Sequence, residues 1–333
     1  MVSLRKSGPM CLTVLVMTAL IHLSSEGSFA AEKRPLTWAT TASTSGVFAY
    51  FVGAAKILND KLPEVNITVR ATGGGVHNTR LLEKGEVDLG AMDSSTAWEA
   101  EHGEGNFAGK PFKDLRMLYV SATYALQFAV SEKSGVKTVY DLEGKTICPG
   151  MLGGSTERTV VEIFKALGVR AKIRNMGYAD AVEAMKNEQI VGFGKRGTPD
   201  SSVLDVMSSM KIRIISFSDE DIEKILKVVQ GNRKVVVPAG VYQGIGAFKT
   251  IENEWADYVR KDFSSDLAYK IVKTIWENRA DIKKSTPQFL ADRLTEVSLG
   301  VKTNYMHPGA IKFYRELGFN VPKILIPPEM GEK

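Results

Sequence analysis

The sequence lacks any apolar run as long as the roughly 20 residues that a membrane-spanning helix needs. It also lacks a strong charge of either sign, since 43 basic and 38 acidic side chains leave a formal net charge of only +5 among 333 residues. The basic residues form no run with interleaved aromatics, so we expect no nucleic-acid-binding surface. With 44% hydrophobic and 24% charged residues, the composition is that of a globular protein, which excludes a disordered or fibrous chain.

The first thirty residues have the pattern of a secretory signal peptide. Arg5 and Lys6 precede a short apolar run at residues 11–23, and Ser28 and Ala30 are the small residues that signal peptidase requires. We therefore predict cleavage after Ala30 and a mature protein exported to the periplasm.

Cysteine and histidine are scarce, with two and four residues respectively. Cys148 would be the single cysteine of the mature chain, which rules out an internal disulfide, and its apolar surroundings favour a buried thiol over a nucleophile. No two histidines have metal-ligand spacing, and neither the nucleotide-binding glycine motifs nor a GxSxG motif occurs. We predict no metal, no cofactor and no enzymatic activity; a periplasmic enzyme acting on an organic acid is the rival from another class.

Short strand-like segments alternate with amphipathic helices after residue 30, which is typical of an α/β fold. The pattern restarts after residues 115–130, where two strand-like runs lie back to back with only residues 121–124 between them. This restart predicts two lobes. Residues 31–125 and 240–333, including C-terminal helices, would form lobe 1, and residues 126–239 would form lobe 2.

Four turns between a strand and a helix share a composition of glycine and small hydroxyl residues, at residues 43–46, 72–75, 93–96 and 153–156. Each is suited to bind an anionic oxygen, because free backbone N–H groups and a partial positive charge occur at a helix start. Taken singly, a turn of this composition is more often an ordinary helix cap. Their recurrence in both lobes favours a ligand site, since such turns face the crevice of an open α/β sheet.

Lys195 and Arg196 follow a predicted strand at residues 190–193. A charged pair in a loop is ordinarily solvated, but the carboxyl end of a strand is where α/β proteins bind ligands. Adjacent residues of an extended segment point to opposite faces, so only one should reach the cleft. Arg196 is the first choice, because its planar guanidinium suits a carboxylate; Lys195 is the second, with Arg80 and Arg158 next.

Residues 71–78 (ATGGGVHN) and 85–90 (GEVDLG) are the most specific part of a series of motifs. Further members follow the same order along the chain, at residues 43–50, 105–111, 141–145, 153–157, 237–242 and 307–310. The series resembles the TAXI family of solute-binding proteins, which serve tripartite ATP-independent periplasmic (TRAP) transporters. Ser45 and Val47 depart from the family's first turn, so the identity of the ligand does not transfer.

The resemblance implies a two-lobed periplasmic-binding fold of type II that closes on a small anionic organic acid, such as glutamate or 2-oxoglutarate. It also implies a monomer that delivers this acid to a TRAP-type permease; a binding protein of another carrier or of a sensory system is the alternative. His307 and Pro308 fit a helix cap rather than a catalytic site. The turns, the resemblance and the charged pair together give the candidate ligand-binding residues: Thr44, Ser45, Gly46, Tyr50, Thr72, Gly73, Gly74, Asn78, Asp93, Ser94, Ser155, Thr156, Lys195 and Arg196.

Overall fold

A computed structural model describes residues 33–43, 47–286 and 289–331. The predicted signal peptide and the candidate residues Thr44, Ser45 and Gly46 lie outside these ranges. Within them, no helix combines the length and the apolar character needed to cross a membrane. The predicted α/β class is confirmed, because strands and helices alternate along nearly the whole described chain.

The strands are β1 Arg34–Ala39, β2 Val65–Arg70, β3 Leu89–Asp93, β4 Leu115–Ser131, β5 Thr146–Cys148, β6 Lys172–Ile173, β7 Gly192–Arg196, β8 Ile212–Ile214, β9 Asn232–Val237 and β10 Phe248–Arg260. The helices are α1 Phe48–Lys61, α2 Gly75–Glu83, α3 Ser94–His102, α4 Ser155–Leu167, α5 Tyr178–Lys186, α6 Ser201–Ser209, α7 Asp219–Leu226, α8 Ser265–Glu277, α9 Arg279–Ser285, α10 Leu294–Gly300 and α11 Pro308–Glu316.

Two long strands, β4 and β10, connect the two halves of the sheet. On one side the order is β2-β1-β3-β10-β4, with β1 parallel to β2 and β3 and with β10 antiparallel to β3 and β4. On the other side, β4 pairs with β7 and β8, β5 is parallel to β6 and β7, and the start of β10 pairs with β9. The partner of β4 changes from β10 to β7 between Ala125 and Leu126, so the sheet divides there.

Each half has its own hydrophobic core. One cluster lies around β1, β3, the first part of β4 and the C-terminal helices, and includes Trp38 and Phe51. The second half has a cluster on each face of its sheet, because neighbouring residues of β4 alternate: Phe128 packs in one cluster and Ala129 in the other. Cys148 is buried in the latter cluster, and burial raises the pKa of its thiol, as expected for a structural cysteine.

The structure differs from the sequence-based expectation in two elements. Residues 115–131 form one continuous strand instead of two runs, because residues 122–125 pair with β10 and the register is interrupted only by irregularities at Ser121 and Leu118. The predicted loop position of Lys195 and Arg196 is wrong, since both lie in β7 and pair with Gln127 and Leu126. The boundaries of the two lobes stay a prediction.

His307 closes the junction between α8 and α11. Its Nδ1 accepts a hydrogen bond from the backbone N–H of Gly309 at 3.1 Å, while its Nε2–H donates to the carbonyl oxygen of Phe263 at 3.1 Å. The predicted cap is therefore confirmed, with Pro308 in the first helical turn. Gly309 has no room for a side chain, because a Cβ would lie 2.2 Å from the carbonyl oxygen of Ser265.

We expect His307 to make folding stability depend on pH. Burial lowers its pKa from 6.5 to about 4, so the folded state favours the neutral ring. This contribution is complete above pH 6.5 and is lost as the pH falls towards 4, amounting to at most about 3 kcal/mol. Chemical denaturation of wild type and His307→Asn should show the wild type losing stability relative to the variant over that range, because asparagine caps without titrating. Parallel pH profiles of the two proteins would contradict this.

Candidate functional site: the junction of the two lobes

Arg196 lies where the two halves of the molecule meet. Its Nη1 donates to the carbonyl oxygen of Tyr124 at 3.3 Å, and its Nη2 donates to Thr159 Oγ1 at 3.2 Å and to Asn232 Oδ1 at 2.8 Å. These acceptors belong to β4, α4 and β9 and are all uncharged. Its buried Nε–H has no hydrogen-bond partner among the described residues. No described carboxylate lies within ion-pair distance of this guanidinium.

Arg196 remains a cation at neutral pH despite its surroundings. Burial lowers the pKa of its guanidinium from 12.5 to about 10, and the carboxylate of Asp93 acts in the opposite direction. A buried charge that has only neutral partners lacks much of its hydration and gains strongly from an incoming anion.

Lys195, unlike Arg196, has a counterion. Its Nζ forms an ion pair with Asp200 Oδ2 at 3.0 Å, donates to Ser202 Oγ at 3.2 Å and lies 4.1 Å from the centre of the Tyr178 ring. This ammonium is therefore already compensated by a carboxylate. Lys195 and Arg196 point to opposite sides of β7. Of these two side chains, only Arg196 has no counterion among the described residues.

Arg158, a further candidate cation, joins the two halves through an ion pair. Its Nη2 lies 2.9 Å from Glu99 Oε1, so α4 contacts α3 directly. A cavity of about 120 Å³ lies beside this pair and is lined also by Thr159 and Glu162. Burial raises the pKa of the Glu99 carboxyl, although Arg158 opposes the shift. Arg80, by contrast, donates to the carbonyl oxygen of Asn106 at 3.3 Å and is exposed.

The start of α3 is firmly attached to the other half. Asp93 accepts from the backbone N–H of Thr96 at 3.1 Å, so this ligand-binding candidate is the N-cap of α3, which begins at Ser94. The Ser94 hydroxyl, fully buried, donates to the carbonyl oxygen of Gly231 at 2.6 Å and accepts from the N–H of Glu254 at 3.1 Å. Ser94 therefore joins the two halves structurally, and its hydroxyl is not available to a ligand here.

The glycine turn before α2 has an interior and an exterior part. Asn78 is fully buried; its Nδ2 donates to the carbonyl oxygens of Thr40 at 2.6 Å and Ala91 at 2.7 Å, and its Oδ1 accepts from Thr72 Oγ1 at 2.5 Å. Asn78 and Thr72 therefore hold the backbone of the turn in place from the protein interior. Gly74, at φ 96°, has open space where a Cβ would lie, so its backbone is accessible.

Two helices that follow the candidate turns begin without a side-chain cap: α2 after Gly74 and α4 after Gly154. Their first N–H groups are therefore free of side-chain acceptors within the described structure, as an anion site requires. Ser155 is exposed at the first position of α4, and Thr156, the next residue, is half-buried.

The candidate residue Tyr50 is buried, and its hydroxyl faces the protein interior. Its hydroxyl forms a 2.7 Å hydrogen bond with the hydroxyl of Tyr119 in the protein interior, and its ring stacks on Phe289. The ring also borders a cavity of about 10 Å³, room for one water molecule, beside Tyr124 and Trp255. Tyr50 therefore supports the wall of the region and presents no polar atom to it.

Sequence reasoning missed three residues that contact Arg196, namely Tyr124, Thr159 and Asn232. Thr159 follows the glycine turn by one helical turn, which is a signal that spacing along α4 could have given. Asn232 is 36 residues from Arg196 and 137 from Ser95, so nothing local in the sequence indicates its contacts.

We predict that Asn78→Ala destabilises the fold rather than removing a ligand contact. The change removes the hydrogen bonds of a buried amide to the carbonyl oxygens of Thr40 and Ala91 and to the Thr72 hydroxyl, at a cost of about 2–3 kcal/mol in the free energy of unfolding. Ser155→Ala, at an exposed position, should stay within about 0.5 kcal/mol of wild type. Urea denaturation measures both; equal stability of Asn78→Ala and wild type would refute the structural role.

Comparisons with known proteins agree with this architecture. The structure of XAC2383 from Xanthomonas citri bound to ATP has a TM-score of 0.53 at 10% identity and covers 88% of this chain and 98% of that one. The same protein bound to a chloride ion gives a TM-score of 0.50 at 10% identity, over 87% and 98% of the two chains. A protein from Bordetella bronchiseptica has a TM-score of 0.50 at 15% identity, over 86% and 99%.

At these identities the likeness concerns the fold, and the chain has the two-lobed α/β fold of periplasmic binding proteins. The sequence itself matches a family model over residues 39–318. This match covers most of the chain and includes every residue described around Arg196. The chain belongs to the NMT1-like family.

Proposed function

We propose that this protein is a periplasmic solute receptor that binds a small organic acid between its lobes and delivers it to a TRAP-type permease. The observation that carries the proposal is Arg196, a largely buried cation with three neutral hydrogen-bond acceptors and an unpartnered Nε–H. A carboxylate between the lobes would supply the missing negative charge.

The neighbouring helix starts strengthen the case for an anion. The uncapped N-termini of α2 and α4 belong to different halves, and both carry partial positive charge. Arg196 donates to Thr159 on the second turn of α4, so the guanidinium and the α4 terminus act on the same region. Glutamate and 2-oxoglutarate carry carboxylates that can pair with Arg196, and XAC2383, which has a similar fold, is bound to ATP in one structure and to a chloride ion in another.

The TRAP-type permease rests on the resemblance of the glycine turn and the ordered motifs to the TAXI family. A receptor of another carrier or a sensory system would use the same cleft, and an enzyme would return the acid chemically changed. Incubation with the acid followed by mass spectrometry separates receptor from enzyme. A thermal-shift panel of glutamate, 2-oxoglutarate, succinate and acetate identifies the acid, because binding to the folded state raises the melting temperature.

Arg196→Ala should weaken binding of the best acid in that panel by about 2–5 kcal/mol, the range for removing one partner of a buried charge pair. Lys195→Ala should change the affinity little, because Lys195 is already paired with Asp200. Isothermal titration calorimetry on both variants makes the comparison. If Arg196→Ala binds as tightly as wild type, the anion lies elsewhere and the assignment of this site fails.

We also expect the lobes to close on the acid. Ligand contacts from both halves stabilise the closed arrangement, so saturating acid should lower the radius of gyration measured by small-angle scattering. Arg196→Ala at the same acid concentration serves as the control and should keep the larger radius. A constant radius in a wild-type sample shown to be saturated would exclude hinge closure.

A further inference from the structure

Asn232 is held in place from two directions. It opens β9, where it pairs with Asn253 of β10, and it follows Gly231. Gly231 has φ 69° and packs so closely on α3 that a Cβ would lie 2.6 Å from the backbone nitrogen of Ser95. The backbone of Asn232 is therefore fixed between the central strand and the first turn of α3.

The amide of Asn232 connects Arg196 to α3. Its Oδ1 accepts from Arg196 Nη2 at 2.8 Å, and its Nδ2 donates to Ser95 Oγ at 3.0 Å and to the carbonyl oxygen of Gln230 at 3.1 Å. The orientation is determined by chemistry, since a guanidinium has only donors and must face the amide oxygen. Arg196 is on β7 and Ser95 on α3, so one side chain joins both halves.

Other cations at similar junctions have acidic partners. Lys195 pairs with Asp200, Arg158 with Glu99, and Arg233 with both Glu252 and Glu254. Arg196 has no acidic partner, because Asn232 occupies the position at which an aspartate of the same shape would fit. Asp93 and Glu254 also influence Arg196 electrostatically, but Asp93 caps Thr96 and Glu254 pairs with Arg233.

We infer that Asn232 is a positioning residue that holds the Arg196 guanidinium in place without neutralising it, and so reserves its charge for an anionic ligand while linking it to α3. This inference rests on the proposed function. An aspartate at the same position would form a charge-assisted pair with Arg196 and compete directly with a ligand carboxylate. A neutral amide supplies the geometry without the competing charge.

The test is Asn232→Asp, measured by calorimetry with the tightest acid of the four-member panel. We expect at least a tenfold loss of affinity, whereas the melting temperature without the acid stays close to that of wild type, because the new ion pair with Arg196 offsets the lost hydrogen bond to the Gln230 carbonyl oxygen. If Asn232→Asp keeps its stability but loses affinity, the Arg196 charge is reserved for the ligand; a merely structural role of Asn232 would change stability instead. Asn66→Asp is the matched control: it adds the same charge on the exposed face of β2 and should bind normally.

Asn232→Ala covers the case in which the aspartate variant fails to fold. It should lose severalfold in affinity because Arg196 is no longer oriented, and normal affinity would overturn the inference. If Asn232→Asp folds and binds like wild type while Arg196→Ala does not bind, the inference about Asn232 is wrong and the proposed function stands. If Arg196→Ala also binds like wild type, the proposed site fails, and the role of Asn232 fails with it.

Discussion

The antiparallel pairing of β4 with β10 is the constraint on which the rest of the molecule depends. Residues 115–125 of β4 pair with residues 252–260 of β10, and each strand then continues beyond that region to pair with a different partner. Two strands that belong to both halves fix where the halves meet. They also bring Tyr124 to the guanidinium of Arg196, since Tyr124 lies at the last positions before β4 changes partner.

The cost of burying a charge explains how the cations near this junction are paired. A charge removed from water is stabilised by a carboxylate of the protein, as for Lys195 and Arg158, or it stays in need of one, as for Arg196. The first arrangement favours stability and excludes a competing anion. The second leaves a charge that an incoming anion would stabilise, and in the proposed function Arg196 is the cation that binds the ligand.

The sequence allowed the fold class, the cap at His307 and the buried state of Cys148 to be predicted, because each depends on residues close together in the chain. It also indicated that only one of Lys195 and Arg196 would face the junction. It could not indicate that Ser94 and Asn78 are internal, since their partners are distant: Gly231 lies 137 residues from Ser94 and Thr40 lies 38 from Asn78. Small polar residues at a helix start serve equally as ligand contacts and as interior hydrogen-bonding groups, and tertiary packing decides between them.

The contacts between the halves also limit how strongly the protein can close by itself. The Ser94 contacts are fully buried and lie beside β10, where the halves remain connected in any case. The more distant contact, Arg158 with Glu99, is mostly buried, with side-chain exposures of 28% and 14%, and the cost of desolvating such a pair offsets much of its Coulombic attraction. Contacts of this strength leave the closed arrangement poorly favoured without a ligand. A carboxylate that engages Arg196 on one side and the helix starts of the other half adds the missing free energy, which is how binding would be coupled to closure.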